Sequence, residues 1–116
     1  MTRALIVLSM VLSAALVGCA KDFCTQVIET DAAVREKMAV CPYFERTPEP
    51  MTDVRCSPWL EFCTEADLAL ILEQQTCLDA VAECAPGVEY EFTYAVAQCK
   101  KTNSKLTKDC LDTVTR

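Results

Sequence analysis

The sequence predicts an all-α fold: a small disulfide-braced bundle of three main helices plus a short C-terminal helical turn. Three observations predict it. Apolar residues recur at helical spacing between proline and glycine breaks. No segment keeps strand-like alternation for long, and no Asn-Gly or Asp-Gly hairpin turn occurs. Finally, eight cysteines lie from Cys24 onward in a chain of 116 residues, an even set that reads as a disulfide framework in a short exported protein.

The chain opens with Arg3 and a free amine, then an uncharged run from Ala4 to Val17. That run is too short to cross a bilayer core, which needs about 20 residues. It reads as a removable export signal rather than part of the fold. The run closes on Leu16-Val17-Gly18-Cys19. This segment resembles the lipobox of bacterial lipoproteins: an aliphatic residue, a small or aliphatic one, Gly, Ala or Ser, then Cys. The resemblance covers the first nineteen residues only. It implies cleavage before Cys19, a diacylglyceryl thioether on its sulfur and commonly an acylated amine. Two or more acyl chains suffice for stable anchoring, at about 0.8 kcal/mol per buried CH₂. Ala20 rather than Asp after the cysteine implies an outer-membrane address in enterobacteria-like sorting. The competing cleavage, after Ala20 between small residues, gives a secreted protein starting at Lys21. The expected organisation is a signal peptide over 1–18, a lipidated N-terminus and tether over 19–23, and a cysteine-rich helical domain over 24–116.

Segment one, from Asp22 to Val40, places Phe23, Val27, Val34 and Met38 on one helical face and stops at Pro42. The stretch PYFERTPEPMTDVRCSPWLEF reads as a proline-bounded loop. Ser57-Pro58 then opens segment two as N-cap and first helical residue, with a restart at Thr64-Glu65-Ala66-Asp67, a capping-box variant with Asp for Glu. Its apolar arc runs through Leu68, Ile71, Leu72, Leu78, Val81 and Ala82. After the Pro86-Gly87 turn, segment three from Val88 to Leu106 carries Phe92, Ala95, Val96, Cys99 and Leu106 on one stripe. Its acids come first and its lysines last, as the helix dipole prefers. A last turn from Thr107 to Val114 holds Cys110 and Leu111.

The spacing of Cys56, Cys63, Cys77 and Cys84, seven, fourteen and seven, predicts one seam of sulfurs along a central helix. Hairpin geometry about Gly87 pairs Cys77 with Cys99 and Cys63 with Cys110. Cys24, opening helix one, then meets Cys84, closing helix two. By elimination Cys41 and Cys56 close the proline-rich loop. Eight cysteines admit 105 connectivities, and Cys41, Cys56, Cys63 and Cys110 are the easiest to mispair.

Catalysis is not expected. With no histidine the chain lacks Ser-His and Cys-His machinery and the usual base near neutral pH. Mature glycine is a single residue, so no phosphate loop can form. Without His or a CxxC pair, neither a metal centre nor a thiol-redox site is expected, and no cofactor. Glu61, Glu65 and Asp67 read as solvated acids at a helix start. Loss of Arg3 with the signal would take the net charge from −6 to −7, which disfavours nucleic acid and anionic headgroups. The local exception, KKTNSKLTK from Lys100 to Lys108, reads as a solvated helix C-terminus.

Two features fit recognition. Tyr43, Phe44, Trp59 and Phe62, with Met51, are a possible partner-facing patch or, alternatively, a cap on the bundle's open end. Tyr90 and Tyr94 lie one turn apart, off the Phe92 stripe. The leading expectation is a lipid-anchored bacterial envelope protein with a non-catalytic binding or structural role, held by its membrane anchor and facing an unidentified envelope protein partner. The alternative is a secreted carrier of a small apolar ligand, or an effector.

Overall fold

The computed structural model describes residues 19–42 and 49–116, with side chains from Phe23 onward. Among the described residues the fold is all-helical, without strands. Five α-helices follow in order: α1 (Cys19–Ala39), α2 (Asp53–Phe62), α3 (Glu65–Asp79), α4 (Glu89–Cys99) and α5 (Lys108–Val114). A 3₁₀ segment, Lys100–Lys105, continues α4.

The largest departure from expectation is α2. The Thr52 side chain caps it by accepting from the Arg55 amide, and the helix runs through Pro58 instead of starting there. Proline in a helix interior removes the bond to the carbonyl four residues back and costs about 3 kcal/mol. Here α2 is fixed from outside: Cys56 is bridged to Cys24, and Trp59 is buried. Chain reversal follows immediately at Cys63, and α3 starts with the capping box anticipated at Thr64 and Asp67.

That extra helix reverses the direction of everything after it. Descending along α1, the Met51 amide donates to Asp31 at 2.9 Å and Cys56 meets Cys24. Consequently α3 rises parallel to α1. Their C-terminal ends lie together: Lys37 Nζ donates to the Asp79 carbonyl at 2.8 Å, and the Cys84 amide donates to the Lys37 carbonyl at 3.1 Å. Helix α3 also stops at Asp79, so Cys84 sits in the following loop. Cys56, Cys63, Cys77 and Cys84 therefore do not form one helical seam. Two lie on different helices, one ends α2 and one lies in a loop.

This parity change corrects two predicted bridges. Cys24 pairs with Cys56, not Cys84, and Cys41 pairs with Cys84, not Cys56. At 1.5 Å per residue, Cys24 and the end of α1 at Ala39 lie about 22 Å apart, and Cys41 follows just beyond that end. With α1 and α3 parallel, Cys84 arrives at the Cys41 end. The other two bridges are Cys63–Cys110 and Cys77–Cys99, as hairpin geometry predicts.

Pro86-Gly87 makes the turn into α4. Gly87 has φ +91°, a backbone region open to glycine, and no neighbouring atom would meet a Cβ there, so the requirement is conformational. Its amide donates to Glu89 Oε2 at 3.0 Å. From Cys99, bridged to Cys77, the 3₁₀ segment descends along α3 to Thr107 at the start of that helix. Lys108 thus opens α5 and pairs with Asp112 at 2.8 Å, instead of closing a helix.

Most of the buried apolar side chains fall into two clusters. One joins Phe23, Val27, Trp59, Ile71 and Leu106 with the Cys24–Cys56 and Cys63–Cys110 bridges. The other centres on Phe92 and the Cys41–Cys84 bridge, with Val34, Met38 and Val96 packed against it.

Candidate functional site

The predicted aromatic patch is dispersed. Trp59 is buried in the first cluster, where it seals the bundle, whereas Phe62, one turn on, is half exposed. Tyr43 and Phe44 lie outside the described residues. Phe62 borders a shallow hollow between α2 and α5. Truncating it by Phe62→Ala is expected to change stability by less than about 1 kcal/mol, read from the urea midpoint. Tyr90 and Tyr94 stack with ring centres 6.3 Å apart and stand well exposed on α4. Cys19 begins α1, but its side chain lies outside the described residues.

Of the three acids at the predicted helix start, Glu61 and Glu65 are exposed as expected. Asp67 is not: it is 2% exposed and fully engaged. Its Oδ2 accepts from the Thr64 amide at 3.0 Å and the Thr107 hydroxyl at 2.6 Å, and Oδ1 accepts from the Thr107 amide at 2.9 Å. Burial alone would raise the Asp67 pKa; the Thr107 and Thr64 hydrogen bonds outweigh it and bring it from 3.8 down to about 2. One carboxylate thereby caps α3 and ties it to the residue preceding α5. Asp67 also lies beside Cys63 and Cys110, their potential ligand atoms within 4.8 Å of one another. The Cys63–Cys110 bridge uses both sulfurs, and zinc takes thiolates, so with the bridge intact this trio lacks its thiolate ligands.

A cleft of about 400 Å³ opens between the two core clusters. Val27 and Trp59 border it from the first cluster, Val34, Met38 and Val96 from the second. Leu78 of α3 belongs to neither and forms its back. Two buried glutamines of α3, Gln74 and Gln75, also line it. Gln75 Nε2 donates to the Ile71 carbonyl at 3.3 Å. Asn103, from the 3₁₀ segment, adds a buried Oδ1 with no hydrogen-bond partner among the described residues.

No family model, curated protein or solved structure matches the chain. The cleft is thus read from its own chemistry. Of its residues, only Trp59 and Met51 were singled out for recognition from the sequence, and as members of an aromatic patch rather than of a cleft. A further signal was Gln74-Gln75 inside LALILEQQTCLDAV, two amides in an apolar segment. Among the described residues, no helix is long and apolar enough to cross a membrane.

Proposed function

We propose that this is a lipid-anchored bacterial cell-envelope protein, attached through Cys19, with a non-catalytic binding role. The observation that carries the reading is the lipobox-like Leu16-Val17-Gly18-Cys19 at the end of the apolar run; the pairing of the other cysteines agrees with it and with cleavage after Ala20 alike. Four bridges take Cys24, Cys41, Cys56, Cys63, Cys77, Cys84, Cys99 and Cys110, leaving Cys19 as the one sulfur of nine outside the framework. That residue stands where the lipobox resemblance puts the acylated cysteine. Disulfides persist in oxidising compartments, which supports an extracytoplasmic location. Ala20 favours the outer membrane, and an envelope protein is the expected partner.

The cleft favours the second reading, a carrier of a small ligand, and the two are compatible if the carrier is tethered. Labelled palmitate fed to cells is expected to enter the wild-type protein and not Cys19→Ser, and the variant is expected to leave the membrane fraction. The intact wild-type mass should start at an acylated Cys19. A mature start at Lys21, or membrane retention of unlabelled Cys19→Ser, overturns the anchor.

A further inference from the structure

The cleft between the two core clusters has polar groups that the fold leaves without partners. Gln74 is 6% exposed, lines the cleft, and its side-chain amide makes no hydrogen bond among the described residues. Asn103 Oδ1 is likewise buried and unpartnered among them. The Gln74 side chain is buried along its stem while its amide stays open to the cleft, free to bond what enters it. Gln75 marks the contrast, since its amide is used internally on the Ile71 carbonyl. Gln74 offers the cleft both a donor and an acceptor.

The remaining wall is apolar, from Val27, Val34, Met38, Trp59, Leu78 and Val96. The volume lies in the range of small-molecule sites, which combine apolar walls with a few placed polar groups. The charged lining residues, Asp31, Arg35 and Lys100, are of both signs, and Asp31 already accepts from the Met51 amide. We infer that this cleft binds a small neutral amphipathic molecule, an apolar body whose carboxamide-like head exchanges hydrogen bonds with Gln74. This rests on the non-catalytic binding role proposed above and gives it a ligand class.

Trp59 is the chain's single tryptophan and borders the cleft, so its fluorescence reports occupancy. The test titrates decanamide into exported Cys19→Ser protein without detergent, so the outcome does not depend on whether the native protein is acylated. Decanamide is expected to shift Trp59 emission saturably. Methyl nonanoate, of equal heavy-atom count but without a donor, should bind at least tenfold more weakly, as should decanoate. Because Trp59 also borders the α2–α5 hollow, two variants assign the signal. Gln74→Leu should weaken decanamide at least fivefold while keeping the helical spectrum, and Val96→Phe, which fills the cleft, should abolish binding. The inference is overturned by no saturable response to decanamide. It is equally overturned by ester or decanoate binding as tightly, or by a folded Gln74→Leu that binds as the parent does. Should the variants fail to fold, the comparison of the three probes on the parent decides.

Discussion

Reducing all four disulfides at neutral pH is expected to abolish most of the far-ultraviolet helical signal at 25 °C. The bridges span 22 to 47 residues of sequence. By the chain-entropy account each contributes about 3–4 kcal/mol, although overlapping loops do not add fully. A whole domain is stable by only about 5–15 kcal/mol. The sulfurs are also the core itself: seven of the fourteen buried hydrophobic residues among the described ones are half-cystines. Little else remains to hold the helices, the longest of 21 residues, and isolated helices below about 12–15 residues are marginal in water. A native spectrum retained in excess reductant would show that Phe23, Ile71, Phe92 and their neighbours suffice alone.

The second large effect is expected at Asp67. Asp67→Ala strands the Thr64 and Thr107 amides and the Thr107 hydroxyl without their acceptor. Loss of a buried charged acceptor and a helix cap together should cost about 3–5 kcal/mol in chemical denaturation. The pH dependence follows from the direction of the shift. The folded carboxyl has its pKa depressed to about 2 from 3.8. Its contribution, about 2 kcal/mol at 1.36 kcal/mol per unit, is therefore present above pH 3.8 and lost as the pH falls toward 2. Asp67→Asn, less stable at neutral pH, should lack that acid limb. An unchanged stability loss between pH 4 and pH 2 in Asp67→Asn would assign it to other carboxylates.

Why some of this was legible in the sequence and some was not comes down to Pro58. Phe23 and Val27 of α1, Ile71 and Leu78 of α3, Phe92 and Cys99 of α4, the Thr64 capping box and the Gly87 turn rest on local rules and lie where those rules put them. Val81, Ala82 and Leu106, expected on the same stripes, fall beyond the ends of α3 and α4. Pro58 obeys the same rules as a first helical residue, which hides the true start at Thr52. Only tertiary contacts, the Cys24–Cys56 bridge and Trp59 burial, stabilise the proline in mid-helix. One missed helix then inverted the relation of α1 to α3 and exchanged the partners of Cys24 and Cys41. Asp67 illustrates the same limit, because its bonds to Thr107 join positions forty residues apart. The cleft was illegible for the same reason: five separate segments of the chain meet to form it.

The order of the bridges along the chain has one more consequence. Cys24–Cys56 overlaps Cys41–Cys84, which overlaps Cys63–Cys110, and Cys77–Cys99 nests inside the last. Every peptide bond between Cys24 and Cys110 is therefore enclosed by at least one covalent loop. A protease that nicks this region once, wherever it cuts, leaves both pieces joined in a single molecule that parts only when the sulfurs are reduced.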